Sequence, residues 1–213
     1  MDARQKFDIG LQEIVPEYAS KNPLVRWLFR KRLRVAREFL EQSGAEAVID
    51  IGCGNGAFLR EITASGKPYD ELWGVDLNPA VVSLTAALPA VHFAVRDLLD
   101  TQFPSQKFDA IVSLDTLEHI ENLAPALQEF RRIVKKGGSL IISEPVESWW
   151  YKTLRFVLKG TYSHEHGPGA GVHYHTARSV DRIVQTQGFS LVKRVKLPCG
   201  FPFDLFHVSW YRT

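Results

Sequence analysis

The sequence predicts an α/β fold in which a mostly parallel sheet is covered by helices on both faces. Three observations point there. Short strand patterns at 47–51, 108–114 and 139–144 are nearly continuous in apolar residues, as strands buried on both faces must be. Amphipathic helical stretches separate them, which is the rhythm of crossover connections. The first strand also runs straight into a glycine loop, Gly52-Cys53-Gly54-Asn55-Gly56, that opens a helix.

Taken in order, residues 1 to about 20 read as a weakly amphipathic helix broken at Pro16. A better helix follows over about 22–42, with Asn22 as its cap, Pro23 in the first turn and Gly44 as its stop. Val25, Leu28, Phe29, Leu33, Val35, Ala36, Phe39 and Leu40 share one side, and Arg26, Arg30, Arg34 and Arg37 form a stripe on the other. A solvated basic face is the plain reading of that stripe, and peripheral contact with a membrane surface is the sharper one. Further strands fit 71–77 and 91–97, and helices fit 57–65, 79–88 after Asn78-Pro79, and 122–135. Residues 146–175 interrupt the alternation with Trp149-Trp150-Tyr151 and a Gly/His-rich loop. A helix from Thr176 to Gln187 and strands at 189–197 and 205–212 close the chain. The short turn around Pro198 cannot make a parallel crossover, so this last pair is expected to be antiparallel.

At 213 residues and 45% hydrophobic content, one domain is expected over 1–213, with a helical cap at 1–45 and a lid at 146–175 over the substrate site. A net charge of +2 gives no electrostatic pull towards nucleic acid. Two cysteines make no disulfide framework, the start lacks a signal-peptide layout, and no apolar run approaches membrane-spanning length. A cytoplasmic protein is the expectation.

The glycine loop leaves two ligands open. GCGNGA, Gly52 to Ala57, satisfies the G-x-G-x-x-G/A dinucleotide fingerprint, and Asp76 follows Gly56 at the distance of a ribose-binding carboxylate. A nicotinamide-dependent dehydrogenase fits that motif alone. Asp50, inside the first strand, opposes it, because a carboxylate there would repel a pyrophosphate and favour an amino-bearing ligand. Asp97 ends the third strand at the same sheet edge, placed for an adenine amino group.

In combination, DIGCGNG, GVDLN, RDLL, FDAIVSLDTLEHI and KKGGSLIISEP, in that order over residues 47–145, resemble the class I S-adenosylmethionine-dependent methyltransferases. The resemblance implies a Rossmann-like seven-stranded sheet, order 3-2-1-4-5-7-6 with strand 7 antiparallel, and S-adenosyl-L-methionine as cofactor. It implies that Asp50 and the backbone of Gly52, Cys53, Gly54 and Gly56 hold the methionine end. Asp76 would bind the ribose hydroxyls with Leu77 against the adenine, and Asp97 would meet the adenine N6 with help from the Leu98 N–H. Ser113, Leu114 and Asp115 would floor the site near the methyl group.

Methyl transfer to a hydroxyl or ammonium requires alignment and removal of a proton, work suited to histidine. His119 lies just beyond the fourth strand, at the reacting edge. His164-Glu165-His166 and His173-Tyr174-His175 flank a glycine-rich loop read as a substrate lid, with His173 placed ahead of His166 and His175 as the base. His92 and His207 are read as structural, Cys53 as a small side chain under the loop, and no metal is expected. Small-molecule O-methylation, of a lipid or quinone-like acceptor, is the expected activity. Asp115-Thr116-Leu117-Glu118-His119 also resembles the acid-x-x-Glu-His run of metal-dependent RNA 2′-O-methyltransferases, which stands as the alternative. A non-catalytic ligand-binding module is the remaining reading.

Overall fold

A computed structural model describes residues 22–146, 173–200 and 203–213, the side chains of 82, 85 and 86 excepted. The expected helix over 1–20 and most of the lid, including Trp149, Trp150, Tyr151 and His166, lie outside the described residues. Seven strands form one sheet: β1 (Ala47–Ile51), β2 (Glu71–Asp76), β3 (His92–Val95), β4 (Phe108–Leu114), β5 (Val134–Pro145), β6 (Ser190–Leu197) and β7 (Phe206–Arg212). The order is β3-β2-β1-β4-β5-β7-β6. β7 runs antiparallel to both β5 and β6, and the other pairings are parallel. This is the Rossmann-like methyltransferase arrangement expected from the sequence.

Continuous apolar strands feed two cores. Val48, Ala110, Val112 and Ile141 point to one face, which α1 (Pro23–Ser43) and α2 (Ala57–Ala64) cover. Their neighbours Ile49, Ile111, Leu140 and Ile142 point to the other, under α3 (Leu123–Ile133) and α4 (Ala177–Thr186). A period of two with both phases apolar is what a central strand sandwiched by helices requires.

Helix α1 starts as its caps dictate: the Asn22 Oδ1 accepts the Leu24 N–H at 2.9 Å, and Gly44 ends the helix in the left-handed region at φ 74°. Its stripe of arginines is less solvated than expected. Arg34 is exposed, but Arg26, Arg30 and Arg37 are half-buried, and Arg37 reaches both Glu41 and Glu61. Among the described residues, no helix is long and apolar enough to cross a membrane.

Two elements differ from the sequence reading. Residues Pro79–Ala86 form 3₁₀ turns rather than an α-helix. Asn78 caps them, but the β-branched Val81, Val82 and Thr85 disfavour a regular α-helix. The helix over 122–135 stops at Ile133, and the chain passes directly into β5 at Val134, five residues before the expected strand. Gly137, at φ 72°, lies inside this early part of β5, where the pairing with β4 shifts register.

Candidate active site at the carboxyl edge of the sheet

A cavity of about 480 Å³ opens where β1, β2 and β4 end. The carboxyl edge of an open α/β sheet is where such a crevice forms, because the crossovers on either side of β1 leave in opposite directions. Asp50, Gly52, Cys53, Gly54, Asp76, Leu77, Leu98, Leu114, Asp115 and His119 line it, and Gly56 does not.

The glycine loop is shaped by contacts within the protein. The Gly52 and Cys53 N–H groups both donate to the Val75 carbonyl, at 2.8 and 3.1 Å, which ties the loop to β2. The Gly54 N–H donates to Asp76 Oδ2 at 2.8 Å, and the Gly56 N–H to the Cys53 carbonyl at 2.8 Å. The N–H groups of all three glycines are therefore engaged inside the protein, and what glycine contributes here is conformation and closeness. At Gly52, φ is 75° and a Cβ would stand 2.3 Å from the Thr116 hydroxyl oxygen. The loop thus lies against the turn after β4 with no room between them.

Two carboxylates face this loop. Asp50 is 2% exposed, and burial together with the neighbouring Asp76 charge pushes its carboxyl up to about 8. Asp76 at the tip of β2 is fixed from both sides: Oδ2 accepts from Gly54, and Oδ1 accepts the Asn78 N–H at 2.9 Å. Each of its oxygens keeps a lone pair for a hydroxyl donor. Leu77 beside it is 62% exposed at the rim, an apolar surface open to a ring. The Cys53 thiol is buried, and burial followed by the Asp50 and Asp76 charges pushes its pKa far up, so it remains a neutral wall.

Asp97 and Ser113 take other positions. Asp97 is exposed, does not line the cavity, and accepts the Leu99 N–H at 2.9 Å in a tight turn. Arg96 and Leu98 on either side of it are the lining residues. Ser113 is fully buried, and its hydroxyl donates to the Ile51 carbonyl at 3.0 Å, joining β4 to β1.

Arg32 is a lining residue that the sequence reading missed. It is 2% exposed, and its guanidinium lies between the Phe29 and Phe206 rings, 4.8 and 4.7 Å from their centroids. It forms a short ion pair with Asp115, whose Oδ1 also accepts from the Ser143 hydroxyl at 2.9 Å. Asp115 adopts φ 52°, a left-handed conformation that this set of contacts holds in place. The signal was present: Arg32 falls four residues after Leu28 and four before Ala36, on the apolar face of α1.

Beyond Asp115, the 3₁₀ turn Leu117–His119 meets the segment leading into α4. The Tyr174 N–H donates to the Glu118 carbonyl at 2.8 Å, and His175 Nε2 lies 3.2 Å from the Glu121 carbonyl oxygen. His173 is thereby set edge-on to His119, with ring centroids 4.8 Å apart. Of the histidines expected to act as a base, His119 lines the cavity, His173 packs against His119, His175 is turned to the Glu121 backbone, and His166 lies outside the described residues. His92 stacks on Trp73 and His207 pairs with Asp204, both away from the cavity.

A family model described as a methyltransferase domain matches residues 24–194. The chain belongs to that methyltransferase family. The match begins in α1 and ends in β6, so it takes in the cavity and both flanking helices. Among curated members, the chloroplastic tocopherol O-methyltransferase of Arabidopsis thaliana is 31% identical over 121 residues, 54% of this chain and 33% of that protein. The demethylmenaquinone methyltransferase of Tropheryma whipplei is 28% identical over 114 residues, 52% of this chain and 46% of that protein. The matched segment is thus less than half the length of either. Among solved structures, the N-methyltransferase NodS of Bradyrhizobium japonicum, in complex with S-adenosylhomocysteine, superimposes with a TM-score of 0.66. That alignment covers 98% of this chain and 97% of NodS at 20% identity, which establishes the shared fold.

Proposed function

We propose that this methyltransferase-family protein binds S-adenosylmethionine in the cavity at the ends of β1, β2 and β4 and transfers its methyl group to a small molecule. The observation that carries the reading is Asp50. A buried carboxyl at the glycine loop, already crowded by Asp76, ionises only beside a cation, so the site favours the ammonium of a methionine moiety over the further negative charge of a pyrophosphate. Asp76 then takes the ribose hydroxyls and Leu77 the adenine face. Leu98 and Arg96 close the far side of the base. Asp115 and His119 lie at the methyl end.

The transfer itself asks little of the protein beyond placement. The acceptor atom attacks the methyl carbon in line with the sulfur, the carbon–sulfur bond breaks, and sulfur leaves as a neutral thioether that needs no proton. His119, next to His173, is the group placed to take the proton of an acceptor hydroxyl. The similarity to a tocopherol O-methyltransferase supports oxygen as the acceptor atom, and that relative together with the demethylmenaquinone methyltransferase supports a quinone- or lipid-like acceptor as the substrate class. Incubating cell extract with cofactor carrying an isotopically labelled methyl group, followed by mass spectrometry, tests this. Label is expected in a low-molecular-weight apolar fraction. Label confined to RNA or protein would overturn the substrate class.

A further inference from the structure

The exposed apolar side chains gather at one end of the molecule. Among the described residues, Leu77 after β2, Tyr174 ahead of α4 and Phe203 between β6 and β7 are exposed at the carboxyl edge of the sheet, where the cavity opens. Leu24 and Trp27 of α1, 63% and 45% exposed, join them there. Large apolar groups scattered singly over a surface need no explanation, whereas a group of them around one opening marks a contact surface.

The course of α1 puts its first turns at this end. Phe29 packs edge-on against Phe206, which pairs with Pro145, the last residue of β5. Gly44 at the other end of the helix leads into the start of β1. The helix therefore runs against β1, and Leu24 stands about 8 Å beyond Phe29 along its axis, past the sheet edge. The outward row of α1 is Leu24, Trp27, Lys31 and Arg34, not the arginine stripe drawn from residue type, and the Lys31 ammonium lies 4.6 Å from the centre of the Trp27 ring. An apolar tip with basic groups behind it suits a lipid–water boundary, where the ring and stems sit among acyl chains and the charges meet headgroups. Residues 23–37 also contain no acid, although the first turns of a helix gain from acids near the positive end of its dipole. That charge pattern is unfavourable within the helix and complements an anionic surface outside it.

We propose that the α1 end of the carboxyl edge, from Leu24 and Trp27 back to Lys31 and Arg34, seats on an anionic lipid bilayer. Val95 and Leu99, beyond β3, share the same edge but stand among the exposed Asp97 and Asp100, which centres the contact on α1. The surface stands on these side chains, and its use rests on the methyl-transfer reading above. Seated in this way, the cavity mouth faces the bilayer, and a lipid-like acceptor enters without crossing water.

Co-sedimentation of the full chain with vesicles tests this, phosphatidylcholine alone against phosphatidylcholine mixed with phosphatidylglycerol. Binding is expected to the mixed vesicles and should weaken as salt is raised. Lys31→Glu with Arg34→Glu, and separately Leu24→Ser with Trp27→Ser, should each weaken it by at least about tenfold. Leu191→Ser with Val192→Ser, at the start of β6 and so at the opposite edge of the sheet, should leave it unchanged. Affinity for S-adenosylhomocysteine should be the same in all of these proteins, so loss of vesicle binding is read separately from failure of the donor pocket. No binding to the mixed vesicles, or wild-type binding in both α1 variants, would overturn the proposal. A dimer in analytical ultracentrifugation that either α1 variant converts to monomer would assign the surface to a second copy of the chain and overturn it as well.

Discussion

At Asp50, burial and the Asp76 charge hold the carboxyl neutral up to about pH 8. A ligand ammonium favours the ionised form, so binding below that pH must release a proton from this group. Affinity for S-adenosylhomocysteine is therefore expected to climb with pH, by up to about tenfold per unit, and to level off near 8. Asp50→Asn should bind more weakly and lose this slope, which calorimetry at several pH values would show. The sign for the unliganded protein is opposite. A carboxyl whose folded pKa lies above its usual 3.8 adds stability only while protonated, and that contribution is lost as pH rises from about 4 to about 8. Asp50 was legible in the sequence because it stands two residues before a strand-ending glycine; its degree of burial was not. Asp97 was expected at the site from its place at a strand end, and Ser113 from the family resemblance. Ser113 instead points to the neighbouring strand, and Asp97 turns outward in a hairpin-like bend. Side-chain direction at a strand terminus depends on the turn that follows, which residue order alone does not fix.

Among the elements, α1 is the one that reaches furthest into the site. Its apolar spacing and caps fixed its ends to within a residue, but a stripe drawn by residue type passed over Arg32, the arginine on the buried side. Arg32 ties the helix to Asp115 across the cavity wall. Arg32→Met keeps the stem packed between Phe29 and Phe206 and removes the charge, leaving Asp115 with Ser143 as its partner. Asp115 is 30% exposed, so the loss should fall at the lower end for a broken buried pair, about 3 kcal/mol. Chemical denaturation would measure it. Arg32→Met combined with Asp115→Asn should recover part of that loss; equal stability in Arg32→Met and wild type would show the pair contributes nothing. The 3₁₀ turns over Pro79–Ala86 and the early start of β5 were illegible for a different reason. Capping residues mark where a helix begins, but they do not say whether it continues as α or 3₁₀.

Across the whole molecule, the antiparallel closing pair was legible because a short final turn admits no parallel crossover, whereas the sheet order was legible only through the family resemblance of the motifs. The order brings Asp50, Asp76 and Asp115 from the ends of three strands to one cavity, where two of the three carboxylates face the glycine loop. That charge pattern is the central claim: the pocket is built for a cationic methionine-bearing nucleoside rather than a dinucleotide. Calorimetric titration of S-adenosylhomocysteine and of NADH into the same protein, with Asp76→Ala alongside, tests it most directly. The account predicts binding of S-adenosylhomocysteine, weakened by a few kcal/mol in Asp76→Ala, and none of NADH. Binding of NADH without S-adenosylhomocysteine would contradict it.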